Sequence, residues 1–417
     1  MRTSLQLLAT GCVSVASAVC VAGAAAQEPP SNLSAPFGQC DAGYWSSTRN
    51  LDDKTQFPAA TCSVNWKPKI TPDIGLGISA RAGWHDSLDA NRFALKLRET
   101  FVDFDGEVLS LRLGKQIIAW GRADRINPTD SFSTRDFTQL TSDDEDQRLG
   151  VVAAKLRYVV TPVLSITGVV ARFSASTTPS GSLPANWLKP SEPIRADWAV
   201  KVDRNGDGLD WALSYFDGRE RLPRYRLDAT QALSPVFVGE YERSQKLGVD
   251  FATSHGPWTF RGEASHAKLR CQSCAEQTRG VTRAVIGFDR DFAGTANINL
   301  QIFANRRSAY VTPPLAPDLA AIVGRGLDRL NAEYSNTDTG MTIRLSDRLL
   351  NEKLKWEIAV VKGFKNGDAL IRPRVSYAFS DNVKLTAGFD RYTGPSQSYF
   401  GALKKNQLSF LTAGVLF

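Results

Sequence analysis

Gln407-Leu408-Ser409-Phe410-Leu411-Thr412-Ala413-Gly414-Val415-Leu416-Phe417 closes the chain. Counting back from Phe417, every second residue (Val415, Ala413, Leu411) is apolar, the period of a β-strand with one face in an apolar medium. The alternation runs to the last residue and ends on an aromatic. A soluble enzyme has little reason to finish on such a residue. A sheet closed on itself in a membrane does, because its last strand seals the ring and aromatic side chains favour the membrane–water interface.

The same period recurs from Ile74 onward. Ile194, Ala196, Trp198, Val200 and Val202 share one face, with Arg195, Asp197, Lys201 and Asp203 on the other. Leu209, Trp211, Leu213 and Tyr215 repeat the pattern, and Ile298, Leu300 and Ile302 alternate with Asn297, Asn299 and Gln301. The connectors alternate as well. Short turns at Asp105-Gly106-Glu107, Thr161-Pro162, Asn205–Gly208, His255-Gly256-Pro257, Ala293-Gly294-Thr295, Asn351-Glu352-Lys353 and Ser380-Asp381-Asn382 are interleaved with longer segments such as Gly121–Asp146 and Arg307–Thr337. Short periplasmic turns and longer external loops in strict order predict an all-β transmembrane antiparallel up-and-down β-barrel. The C-terminal stretch also resembles the signal by which bacterial barrels are recognised, which implies the barrel-assembly machinery as a partner.

Counting from Ile74 yields sixteen strands. A further pair, Gln39–Arg49 and Cys62–Ile70, would make eighteen, the preferred count. Drawn this way, Cys40 lies low and Cys62 high, beyond the Cα separation a disulfide tolerates. Sixteen strands plus a disulfide-closed periplasmic segment therefore stay open as the alternative.

Residues 1–26 read as a signal peptide: Met1-Arg2, an apolar run from Leu5 to Ala22, and Ala24-Ala25-Ala26 before Gln27. Residues 27–38 then form a periplasmic segment and 39–417 the barrel, in the outer membrane of a Gram-negative cell. No later apolar run reaches 18 residues, and the mean hydropathy of −0.23 fits a barrel, in which only alternate strand residues face lipid. The formal net charge of +7 is dispersed, with no basic–aromatic block for nucleic acid. Cys12 and Cys20 leave with the leader. Cys271 and Cys274 form a C-x-x-C in a polar segment without a second ligand pair, which predicts a loop disulfide rather than zinc.

Asp203-Arg204-Asn205-Gly206-Asp207-Gly208 opens like a calcium loop, but its twelfth position is Ser214 where a bidentate Glu is needed, so it reads as a hairpin turn. The three histidines, His85, His255 and His266, build no nucleophile–base pair, since Ser265 and His266 point to opposite faces. No enzyme activity, metal or cofactor is expected.

The most distinctive segment is Leu111-Arg112-Leu113-Gly114-Lys115-Gln116-Ile117-Ile118-Ala119-Trp120-Gly121-Arg122-Ala123-Asp124-Arg125-Ile126-Asn127-Pro128-Thr129-Asp130. It continues through Arg135-Asp136-Phe137 to Asp143-Asp144-Glu145-Asp146-Gln147-Arg148. Here the chain resembles a set of largely uncharacterised proteobacterial outer-membrane barrels that share G-K-Q-x-x-x-W-G-R-A-D-R-x-N-P-T-D, then R-D-F and D-E-D-Q-R. It is more loosely similar to alginate-export-type porins. The resemblance is specific over Gly43–Arg157 and implies fold and location, without a settled cargo.

This loop is too charged to touch lipid. Arg122, Arg125, Arg135 and Arg148 can pair with Asp124, Asp130, Asp136 and the Asp143, Asp144, Glu145, Asp146 run. Asn127-Pro128 forces a turn, and Asp130 can cap a short helix at Ser131. Folded inward, the loop would narrow a pore and set a field across it. Folded outward, it would be a cap or a lipopolysaccharide-facing patch, and both readings remain open. Parity assigns Arg112, Lys155, Arg157, Lys201, Arg261, Arg283, Arg344, Lys355, Arg374 and Lys384 to the lumen, against Asp197, Asp250, Glu263, Asp289, Glu357 and Asp390. The basic surplus favours a passive channel for small hydrophilic solutes, anions among them. The alternatives are an export conduit for polysaccharide or lipid-like cargo with a periplasmic transport partner, and a plugged structural barrel.

Overall fold

Alternation along each strand sends every second side chain to lipid and the rest inward, and eighteen strands close the ring that this demands. The computed structural model describes residues 35–417 apart from 52–53, 86–92, 140, 178–186, 189, 191, 229–235, 272–277, 293, 312 and 314–317. The leader expected at 1–26 lies outside the described residues. The strands are β1 (Phe37–Leu51), β2 (Lys54–Trp66), β3 (Ile74–His85), β4 (Phe93–Asp105), β5 (Leu109–Gln116) and β6 (Val151–Thr161). Then come β7 (Leu164–Arg172), β8 (Ala196–Arg204), β9 (Leu209–Arg219), β10 (Arg243–His255), β11 (Trp258–Arg270) and β12 (Thr278–Asp291). The wall ends with β13 (Asn297–Arg307), β14 (Thr337–Leu349), β15 (Leu354–Gly363), β16 (Ala369–Ala378), β17 (Val383–Thr393) and β18 (Leu408–Leu416).

Each strand pairs antiparallel with the next, and β18 returns to β1 in register from Gln39↔Leu416 to Ser47↔Leu408. Phe417 extends this seam by exchanging backbone hydrogen bonds with Gly38 at 2.8 and 3.0 Å. Closure removes the unpaired edge that hydrocarbon would not tolerate.

The outer face is apolar. Leu95, Val152, Val170, Leu213, Leu247, Ile286, Ile302 and Leu411 are all exposed, a pattern that would aggregate in water and is matched to lipid. At the end bearing the short turns, Trp258, Phe260 and Phe288 pack together, Tyr377 lies edge-on to Phe379, and Arg290 stacks on Trp258 and Phe292. This is an interfacial aromatic girdle. At the other end a 13-residue helix, α1 (Leu319–Asn331), and a four-residue helix, α2 (Tyr399–Ala402), lie in the long loops. This is an outer-membrane β-barrel.

The count of eighteen holds, and the objection drawn from the cysteines does not. The second strand begins at Lys54 rather than Cys62, so the first hairpin folds near residues 51–54 and sets Cys40 directly opposite Cys62. The two form a cross-strand disulfide, with Cα atoms 4.0 Å apart. The first strand starts at Phe37, slightly before the expected boundary at 39. Cys271 is disulfide-bonded, and Cys274 lies outside the described residues. A bulge opposite Ser79/Ala80 shifts the register of β4, so Lys96 and Arg98 above it face inward in one parity, and Phe101 and Asp103 below it in the other.

Because Phe417 completes the seam at the periplasmic rim, Phe417→Ser should reduce the folded, heat-modifiable species on gels of unboiled outer membranes. Wild-type amounts of that species in the variant would separate the terminal aromatic from barrel closure.

Candidate functional site inside the lumen

The chain between β5 and β6, residues 117–150, folds into the barrel. Its apolar half explains why. Ile118, Trp120 and Phe132 join Val151, Ala153, Val169, Ala171, Ala199 and Phe216 in one buried cluster, in which Phe132 lies edge-on to both Trp120 (5.5 Å) and Phe216 (5.3 Å). The wall partners sit at lumen-facing positions of β6–β9. Burying a side chain the size of Phe132 is worth about 1.5–3 kcal/mol, and each aromatic edge contact adds about 0.5–1.5 kcal/mol.

One carboxylate fixes the turn that follows. Glu263 of β11, almost fully buried, accepts from the backbone N–H groups of Arg122 (2.5 Å), Ala123 (2.5 Å) and Thr129 (3.3 Å). It also accepts from the Thr129 hydroxyl (2.9 Å) and Asn127 Nδ2 (3.2 Å). Gly121 permits this grip: its φ is +107°, and a Cβ there would lie 2.5 Å from Glu263 Oε1. The Arg122 side chain then reaches Asp250 (2.6 Å), Asp203 (3.5 Å) and Asp210 (3.6 Å) on β8–β10. Gln301 of β13, with its amide turned to satisfy both groups, brackets the Asp124 peptide N and O at 2.8 Å.

The loop next faces the opposite wall. Asp124 meets Arg344 of β14 (3.1 Å), and Arg125, held at φ 66°, meets Glu357 of β15 (2.5 Å). Asp144 accepts from Arg372 of β16 (2.5 Å), with Arg374 (3.7 Å) and Arg125 (3.9 Å) close by. Burial opposes ionisation of Asp144, but Arg372, Arg374 and Arg125 outweigh it and hold its pKa below the ordinary value. Its anchoring contribution is therefore present above the ordinary aspartate pKa, and is lost only as pH falls through the depressed value. Asp146 pairs with Arg81 of β3 (3.0 Å), and Asp136, with no exposed surface, pairs with Lys96 of β4.

Within the loop, Arg148 bonds Asp130 (3.4 Å), Glu145 and Ser133, and Arg135 bonds Glu145 (3.6 Å) and the Asp144 carbonyl. The expected short helix at Ser131 does not form; Asp130 accepts instead from Ser133 N (3.3 Å). The loop's single helical turn is at Asp144–Gln147, capped by Asp143. The extended chain at Thr134–Arg135, which pairs with Arg148–Leu149, leaves no room for a helix there.

Two cavities flank the loop on its β11–β17 side. An outer one of about 480 Å³ is lined by Phe303, Arg307, Tyr334, Asp368, Arg372 and Tyr399, among others. An inner one of about 820 Å³ is lined by Arg261, Asp289, Lys355, Arg374 and Lys384, among others. Arg125, Arg344 and Asp144 or Asp143 border them, and Arg125 and Arg344 line both. The two cavities thus share a border of loop charges set against wall arginines.

The remaining lumen candidates lie away from it. Arg112 bonds Asp103 (2.5 and 2.8 Å) over the Phe101 ring and sits beside Lys155 in the register, with Arg157 one pair lower. Lys201 meets Asp203 (2.9 Å), Arg261 meets Asp289 (2.9 Å), and Lys384 donates to Gln39 (3.1 Å). Arg372 carries the strongest wall contact to Asp144 and escaped the sequence reading, although it stands two residues from Arg374 on the same face. Arg81, Lys96 and Arg98 escaped it too. The signal for an inward loop was present: Val151-Val152-Ala153-Ala154 and Val169-Val170-Ala171 are apolar on both faces, as strands covered on both sides are.

The profile of a protein family of unknown function (DUF1302) matches residues 43–181, which take in the second half of β1, β2–β7 and the infolded loop. No curated protein matches the sequence. The fold is similar to that of Acinetobacter baumannii OccAB1 (TM-score 0.58, 10% identity, 92% of this chain and 96% of that chain). It is similar as well to Acinetobacter baumannii OccAB3 (TM-score 0.56, 12% identity, 92% and 98%). Pseudomonas aeruginosa OpdK, solved with vanillate, aligns with TM-score 0.53 at 11% identity, over 92% and 98% of the chains.

Removing the Glu263 carboxylate orphans several buried donors at about 1–3 kcal/mol each. Glu263→Ala should therefore free the loop while leaving the wall strands paired. In planar bilayers the expected result is a larger and noisier single-channel conductance, with unchanged heat-modifiable mobility.

Proposed function

We propose that the barrel is a passive outer-membrane channel for small hydrophilic solutes, with a preference for anions. The observation that carries the reading is the pair of cavities meeting at Arg125 and Arg344, between the infolded loop and β14–β16. A solute crossing there runs past Arg125 and Arg344, beside the Asp124–Arg344 and Asp144–Arg372 ion pairs. Such a transverse field orients a dipolar or charged solute and favours one sign by its surplus. The inner cavity supplies that surplus: seven basic side chains line it against five acidic ones. OpdK, whose fold is similar, has been solved with vanillate, and a small organic anion of that kind suits a basic inner cavity. Nothing in the path calls for chemistry; the mechanism is a wet route, a constriction and electrostatic steering. A conduit for polysaccharide or lipid-like cargo has less support, because the ion-paired loop spans the space such a chain would need.

Arg122 lines neither of these two cavities, whereas Arg125 and Arg344 line both, so selectivity falls to those two. Arg125→Gln with Arg344→Gln should move the zero-current potential in a salt gradient towards cations, whereas Arg122→Gln alone should move it far less. Deleting Ala123–Asp143 should raise conductance severalfold, since a constriction dominates the series resistance. Unchanged conductance after that deletion would make the loop a plug or a cap bordering some other route.

A further inference from the structure

A third cavity, of about 210 Å³, shares no lining residue with those two and lies near the external ends of β9 and β10. It has room for several waters, at about 30 Å³ each. Five cations, Arg135, Arg219, Arg221, Lys246 and Arg283, line it against two carboxylates, Asp130 and Glu220. Both carboxylates are already engaged: Asp130 with Arg148 (3.4 Å) and Glu220 with Lys246 (4.0 Å). Burial would raise the Glu220 pKa, yet Lys246 and Arg283 bring it down to about 2, so the cations around this carboxylate outweigh its burial.

Arg221 is the central group. Only 8% of it is exposed; its Nε donates to the Ser131 carbonyl (3.1 Å) and its Nη1 to Asp197 (2.7 Å). The rings of Phe132, Phe173 and Phe216 surround it at 5.3 to 6.0 Å. Its Nη2 is buried and has no hydrogen-bond partner among the described residues. Arg219 spends one donor on the Tyr241 carbonyl (2.7 Å), and neither Arg219 nor Arg283 makes an ion pair among the described residues. A buried guanidinium with one nitrogen left unsatisfied, beside two cations outside any ion pair, is a costly arrangement unless an anion joins it.

We propose that this cavity is a stationary binding site for a small tetrahedral oxyanion of the phosphate type, separate from the solute path. A tetrahedral dianion suits it better than a carboxylate because Arg219 and Arg283 leave two positive charges outside any ion pair among the described residues, and the lining cations converge from several directions. Asp130, Ser131, Ser133 and Arg135 come from the loop and Arg219, Lys246 and Arg283 from the wall, so the bound anion ties one to the other and favours the infolded loop. The inference rests on this cavity alone and does not depend on the channel reading.

The test titrates inorganic phosphate into the folded, detergent-solubilised barrel at neutral pH and low chloride, by calorimetry. Saturable binding is expected, weakened about tenfold or more by Arg283→Gln, which breaks no ion pair of the fold, and untouched by Lys69→Gln at the periplasmic rim. No saturable binding, or equal binding by both variants, would overturn the proposal. Should Arg283→Gln fail to fold, the wild-type unfolding temperature decides. Phosphate must raise it above the value in chloride of matched ionic strength, and equal values overturn the site.

Discussion

The lumen is organised around one buried carboxylate. Glu263 collects three backbone N–H groups, a hydroxyl and an amide from a single turn of the long loop. A backbone turn inside a barrel has few ways to satisfy its donors, and a carboxylate facing inward from a strand is well placed to do so. Once that turn is fixed, Arg122 falls among Asp203, Asp210 and Asp250, and the chain beyond is aimed at β14–β16. Gly121 belongs to the same device, since a Cβ at that place would occupy the space of the carboxylate.

The loop divides the interior into unlike halves. Against β6–β9 it is packed through Trp120 and Phe132 into an apolar cluster. Against β14–β16 it presents mostly charges, and the two cavities that share Arg125 and Arg344 lie there. The asymmetry follows from composition: Ile118, Trp120 and Phe132 supply the apolar side, and Asp124, Arg125, Asp143 and Asp144 are left to line the open side. Ion pairs across this gap are partly solvated, so their value lies more in position and field than in stability.

Eighteen strands, the inward and outward faces, and the order of short turns and long loops were legible because period-2 alternation is local. A lone hairpin misread from its start at Cys62 made the Cys40–Cys62 disulfide look impossible, when a start at Lys54 places the two cysteines opposite each other. Parity found Arg344, Arg374, Glu263 and Glu357 but missed Arg372, and it had no means of anticipating the bulge that shifts β4. The loop's arginines and acids were recognised as a charged set, yet paired with one another. Most of their partners turned out to lie on the wall.

The sequence by itself determined the barrel, its closing strand, and the identity of the charged loop, since each is written in neighbouring residues. Only the tertiary structure decided that Arg122 meets Asp250, Arg125 meets Glu357 and Asp144 meets Arg372. These pairs join residues more than a hundred positions apart. Their choice depends on the path of a loop without a repeating period, set by the packing of Phe132 and the grip of Glu263, and no pattern along the chain encodes which of many lumen charges will stand opposite.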